Sequence, residues 1–110
     1  MENAGSRLST GDTTNNAGPG LSTDELYDTL SNERRRACVR HLADTEGWVR
    51  VKAIASAIAP EIGEGDDVAE ESVYISLIQV HMPKLESYDV IQYDSEEKLV
   101  RHGPAFDAAF

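Results

Sequence analysis

Cysteine, lysine and long apolar runs are what this chain has least of. Its 110 residues include one cysteine, Cys38, so no disulfide can form within it, which suits a reducing cytoplasm. No stretch approaches the ~20 apolar residues of a membrane span, and no membrane partner is expected. The N-terminus lacks a basic region followed by an apolar run, so a secretory signal is not expected either. A glycine-rich phosphate loop is missing as well. The segment "IGEGDD" has two glycines but neither the spacing nor the base. No serine or cysteine nucleophile has an evident base partner, and carboxylates are so numerous that no acid pair stands out. Catalysis and a bound cofactor are therefore not expected.

What is present is acid. Asp and Glu total 20 against 10 Lys and Arg, giving a formal net charge of −10. The bases include three lysines: Lys52, Lys84 and Lys98. Dispersed acids with few lysines are typical of a salt-loaded cytoplasm. There carboxylates hold water and cations, and their repulsion is screened over ~3 Å at 1 M salt. A halophilic, cytoplasmic protein with cations bound at high salt is the expectation. The rival explanation is an ordinary acidic protein with basic partners.

Apolar residues make up 40% of the chain, enough for one small core. Residues 1–20, "MENAGSRLSTGDTTNNAGPG", hold almost no large apolar side chain and read as a disordered tail. Residues 21–110 read as one domain. A short helix follows in "STDELYDTLSN", capped by Ser22 or Thr23. Asn32 caps a second helix, Glu33–Asp44, with Ala37, Cys38, His41 and Leu42 inward and Gly47 beyond its end. "WVRV" alternates as a short strand. A helix over Val51–Ala59 turns Ile54, Ala55 and Ile58 inward and stops at Pro60. "EIGEGDDVAEE" reads as an acidic loop.

The longest periodic segment is Glu70–Tyr88. Tyr74, Leu77, Ile78, His81, Leu85 and Tyr88 fall on one face of it, and Pro83 predicts a kink. Asp89 stands where a positive φ is expected. "VIQY", the turn "DSEEK" and "LVRH" form a β-hairpin, and Pro104 opens a last helical turn. The fold class is mainly α with a small β-hairpin (α+β). Three helices closed by a hairpin make a winged helix-turn-helix, with the hairpin as the wing.

Two stretches carry a family resemblance. "LYDTLSNERRRACVRHL" resembles the opening of arsenical-repressor-like winged helices, where a short helix and a break precede paired arginines. In "VHMPKLESYDVIQYD", His81, Met82, Leu85, Asp89, Val90 and Ile91 fill the places of their recognition-helix end. The chain is most similar to a haloarchaeal winged-helix domain group of uncharacterised function, with a similar "SNERRR" start and "HxPKL" segment. The resemblance spans about Leu21–Gly103. It implies that helix 70–88 reads the DNA major groove and that wing 90–102 contacts the backbone. The chain departs from the wider family in three ways. Asp89 replaces the turn glycine, the inter-helix loop is longer and more acidic, and no paired-cysteine metal-sensing motif is present.

Side chains off the core face of a recognition helix are the ones that reach base edges. Ser72, Ser76 and Gln79 are the candidates here, since Gln bonds bidentately to adenine. Lys84, Lys98 and Arg101 are candidates for phosphate contacts, which position rather than specify. Each is equally read as a solvated surface position. Glu61, Glu64, Asp66, Asp67, Glu70 and Glu71 precede the reader with no compensating base and repel phosphate at low salt. Arg34, Arg35, Arg36 and Arg40, the basic cluster, read as scaffold paired with neighbours such as Glu33 or Asp44, with a grip on phosphate as the alternative. Cys38 and His41 at i, i+3 have the spacing of two metal ligands, but core packing is the commoner meaning and no metal is expected. A redox or metal sensor acting through Cys38 needs that thiol exposed.

Double-stranded DNA and a second copy of the chain are the expected partners. Leu26, Tyr27, Leu30, Phe106 and Phe110 offer apolar surface for a homodimer, or else fold back on their own core. The alternative function is a protein-interaction module that keeps the fold without touching nucleic acid.

Overall fold

The computed structural model describes residues 20–110. The expected tail, residues 1–20, lies outside them except for Gly20. Helix α1 spans Thr23–Leu30 and α2 spans Glu33–Ala43. Strand β1 is Val49–Arg50, followed directly by α3, Val51–Ile58. Next come a 3-10 turn at Pro60–Ile62 and helix α4, Asp67–Ser76. A π turn over Leu77–His81 joins α4 to α5, Met82–Ser87. Strands β2, Ile91–Asp94, and β3, Leu99–His102, form the hairpin, and α6, Phe106–Ala109, closes the chain. The protein is mainly helical with one three-stranded antiparallel sheet in the order β1-β3-β2.

The caps explain where the helices start. Ser22 Oγ accepts from the Glu25 amide at 3.1 Å, and the Glu25 carboxylate accepts from the Ser22 amide at 2.9 Å. This reciprocal pair satisfies two donors that have no partner within α1. Asn32 Oδ1 accepts from the amides of Arg34 and Arg35 and so starts α2. Asp66 accepts from the Ala69 amide at 2.9 Å. With this cap, α4 begins at Asp67, three residues before the expected start, and part of the acidic "loop" is helix. Acids in a first turn also favour the helix dipole.

The kink expected at Pro83 takes a different form. Proline lacks the N–H that would bond back to Gln79, and its ring crowds that carbonyl. The helix answers one turn earlier by widening: the Met82 amide bonds to Leu77 O, five residues back. The α pattern then resumes at Met82, with Pro83 in the first turn of α5, where its missing donor costs little. The widened turn also changes which residues face inward. Leu77, His81 and Leu85 of the expected stripe are buried, whereas Tyr74, Ile78 and Tyr88 are half-buried. Val73 and Met82, outside that stripe, are fully buried instead.

The helices and sheet share one core around Leu42, Ile54, Ile58, Leu77, Leu85 and Val100, all fully buried. Each such side chain contributes roughly 1.5–3 kcal/mol through burial. The strand expected in "WVRV" is present and pairs with the hairpin, Val49 opposite Val100 and Arg50 opposite Leu99. The Val51 amide also donates to Lys98 O at 3.0 Å. The hairpin turn is therefore fastened to the start of α3. As expected, Asp89 has a positive φ, 62°. Lys98 has one too, 57°, which the sequence did not indicate. Phe106 does not belong to an intersubunit surface: it is 3% exposed, packed in its own core and stacked on His102 at 3.9 Å between ring centroids.

Candidate functional site

The side of α4 turned away from the core carries Val68, Ser72 and Ile75, and Gln79 follows in the π turn; all four are exposed. The 4-3 spacing of the first three puts them in one stripe on a 3.6-residue helix, and Gln79 lies beyond the end of α4. Val80 continues it, half exposed, past the start of the π turn. No base lies on this stripe. Of the six residues expected to meet DNA, Ser72 and Gln79 stand free on it.

The other four are placed differently. Ser76 is half-buried and accepts from Arg34 Nη1 at 2.7 Å while donating to Val73 O. It holds α2 to α4. Lys84 donates to Asp28 Oδ2 at 2.7 Å and ties α5 to α1. The same Asp28 oxygen accepts from Tyr88 OH at 2.6 Å. The bonds from Lys84 and then Tyr88 hold the Asp28 carboxyl below the usual range. Arg101 donates to Gln92 Oε1 at 2.5 Å and lies 4.6 Å over the Trp48 ring. Lys98, whose amine donates to Ser95 O, lies at the hairpin turn beside two bases not among the expected site residues.

Those bases are Arg50 and Lys52. With Lys98 they line a cleft of about 340 Å³ between the start of α3, the hairpin turn and α4, which contributes Tyr74. Leu99 and Glu97 complete the lining. A faint signal was present in the sequence: "RVK" places a base on either side of the first residue of α3, with no capping side chain before it. What the sequence did not reveal is the strand register that sets Arg50 opposite Leu99 and so beside Lys98.

Arg34, Arg35 and Arg36 are scaffold, through partners other than those expected, whereas Arg40 is exposed. Arg34 bonds Glu64 at 2.5 Å across the chain, which gives the acidic loop one compensating base after all. Arg35 is buried and donates to Thr29 O and Asp28 O at 3.2 and 2.8 Å. Its Nη1 lies 3.1 Å from His81 Nδ1. Because Arg has no acceptor, Nδ1 accepts this bond and the ring proton sits on Nε2. Burial, followed by the Arg35 charge, lowers the His81 pKa to about 4. Arg36 donates to Leu30 O. Together these bonds cap the end of α1 and fix it against α2.

Cys38 is completely buried, and burial pushes its thiol up to about 12. The exposed, ionisable thiol that a sensor requires is therefore not what this residue offers. Among the described residues, no group of three His, Cys, Asp or Glu side chains is arranged to hold a metal ion, and no helix is long and apolar enough to cross a membrane. Of the expected dimer residues, Tyr27 and Phe110 are 76% and 71% exposed. Leu26, Tyr27 and Leu30 line a shallow, almost wholly apolar hollow on α1, and α1 packs beside α6.

A sequence family described as Domain of unknown function (DUF7344) matches residues 27–101. The chain belongs to this family. The match is to this domain and not to the arsenical-repressor-like regulators that its motifs resemble. No curated protein and no solved structure matches the chain.

Proposed function

We propose that this DUF7344 chain is a winged helix-turn-helix regulator that binds double-stranded DNA. Three features support the reading. The order α2, β1, α3, α4, then the hairpin, with β3 between β1 and β2, is the connectivity of a winged helix. Helices α3 and α4 form the helix-turn-helix and the hairpin forms the wing. The observation that carries the functional step is the uncovered stripe that runs from α4 into the π turn, free to enter a groove. Ser72 and Gln79 are its hydrogen-bonding residues. Ile75 and Val68 supply apolar contact to thymine methyl groups.

A net charge of −10 makes such binding dependent on salt in an unusual sense. At low ionic strength the acids of α4 repel phosphate. At molar salt that repulsion is screened, but so is the attraction that normally supplies affinity. Cations held between carboxylate and phosphate, together with base contacts and groove shape, then carry a larger share. A homodimer pairing through Leu26, Tyr27, Leu30 and Phe110 presents two reading helices.

Selection of random duplexes by the purified full chain, in both moderate and molar KCl, tests this reading. Enrichment of a defined sequence is expected, altered or abolished by Gln79→Ala. A dimer selects symmetric half-sites about one helical turn (10–10.5 bp) apart, and a monomer selects one half-site. Failure to enrich any duplex at either salt level overturns the proposal. In that case a protein-interaction module gains, because Val68, Ile75 and Val80 give the same stripe an apolar character with no base on it.

A further inference from the structure

We infer that the cleft between α3, the hairpin turn and α4 is an anion site for a phosphate of the nucleic-acid backbone, with Arg50, Lys52 and Lys98 as its cations. The inference rests on the DNA-binding reading and identifies the group that anchors the duplex, where the α4 stripe has no cation of its own.

Electrostatic pairing is the first argument. Acids outnumber bases two to one in this chain, so a base has many available partners. The ion pairs among the described residues use Arg34, Arg35 and Lys84. Arg36, Arg40 and Arg101 form none; nor do Arg50, Lys52 and Lys98, and these three alone share one cleft. Three cations face one lining carboxylate there, Glu97. Gathering like charges costs free energy unless an anion offsets it. An oxyanion of two or more oxygens, held by a guanidinium fork and ammonium groups, meets that requirement.

Backbone geometry is the second argument. Pairing of Arg50 with Leu99 and the bond from the Val51 amide to Lys98 O fix the spacing of the three bases. The backbone positions of the three bases are thus fixed before any ligand arrives, so that binding has only their side chains left to order. No side chain caps α3, so the amides of Lys52 and Ala53 remain as donors at the positive end of its dipole. The cleft also shares α4 as a wall through Tyr74, so a backbone phosphate seated in it lies against the flank of that helix.

The test uses the full chain labelled with nitrogen-15. Inorganic phosphate, titrated at moderate salt, is expected to shift the amides of Lys52, Ala53 and Leu99 with a common saturation curve. The double variant Arg50→Gln/Lys52→Gln, whose side chains are exposed, should keep the dispersed spectrum of the folded chain and lose those shifts. With a non-specific duplex, that variant should bind about tenfold more weakly. Its plot of log K against log salt should flatten by about one, since the cleft seats one phosphate and each phosphate contact contributes about 0.9. Gln79→Ala should leave both the phosphate titration and that slope unchanged. If the double variant matches the parent in phosphate and duplex binding, the cleft assignment is overturned while DNA binding through α4 stands. If phosphate saturates the cleft but no duplex binds the parent, the anion site is supported and the DNA-binding reading is overturned.

Discussion

Arg35 shows how much of this fold one side chain carries. Its guanidinium reaches two carbonyls of α1 and the ring of His81, linking α1, α2 and the π turn. The sequence marked Arg35 as scaffold but could not name these partners, which lie up to 46 residues away. His81 was legible as an inward residue from its place in the periodic stripe, but its state was not. That state follows from burial beside a permanent cation, which disfavours imidazolium. The consequence for stability has a definite sign. The folded pKa, about 4, lies below the ordinary value of 6.5, so the unfolded chain takes up the proton first. The neutral ring's contribution is complete above pH 6.5 and is lost as pH falls towards 4. A shift of this size corresponds to about 3 kcal/mol. His81→Gln keeps an acceptor for Arg35 but cannot titrate. Urea unfolding between pH 7 and 4 should therefore show a shallower loss of stability in the variant than in the parent. Parallel curves would mean that this ring does not drive the acid response.

The elements themselves were largely readable, and the exceptions have physical causes. Helices α2 and α3 and the hairpin emerge where periodicity and turn chemistry agree. The start of α4 was hidden because Asp66 and Asp67 look like loop residues until one of them is seen to cap. The π turn was hidden because a proline announces a disturbance but not where the helix will absorb it. Of the expected site, Ser72 and Gln79 were legible as outward positions of the periodic segment, one on α4 and one in the π turn. The Arg50–Lys52–Lys98 cleft was not, because it depends on strand register rather than on any run of bases. The junction after β3 is a tight one. A Cβ on Gly103 would come within 2.4 Å of Asp89 O and 2.8 Å of Ile91 N, both backbone atoms. The Gly103 amide bonds to Val90 O at 2.9 Å. Gly103→Ala should therefore destabilise the fold by about 1–3 kcal/mol, read as a lower urea midpoint with an unchanged slope. A neutral result would mean that the hairpin can shift to admit a methyl group.

At the scale of the whole molecule, the acids and bases are used unequally. Among the described residues, several bases are spent on internal carboxylates and carbonyls, while acids populate the surface. Of the bases left without an ion pair, Arg50, Lys52 and Lys98 gather at the hairpin-turn end of the sheet, while Arg36 and Arg40 lie on α2. The domain limits matter as much as the charge. The family match covers residues 27–101, but the folded unit does not stop there. Thr29 is fully buried on a helix whose capping pair, Ser22 and Glu25, lies before the match. Phe106 and Ala109, buried at 3% and 5% exposure, lie after it. A fragment cut at those limits loses the start of α1 and all of α6. It also loses His102, whose Nε2 sits 2.5 Å from Leu42 O, together with the Phe106 ring stacked on it. Such a fragment should melt well below residues 20–110 by circular dichroism, or aggregate, and equal melting temperatures would contradict this. Anyone trimming the protein to its shared segment would thus be handling an open shell, and a failure of that fragment to bind would say nothing about the intact chain.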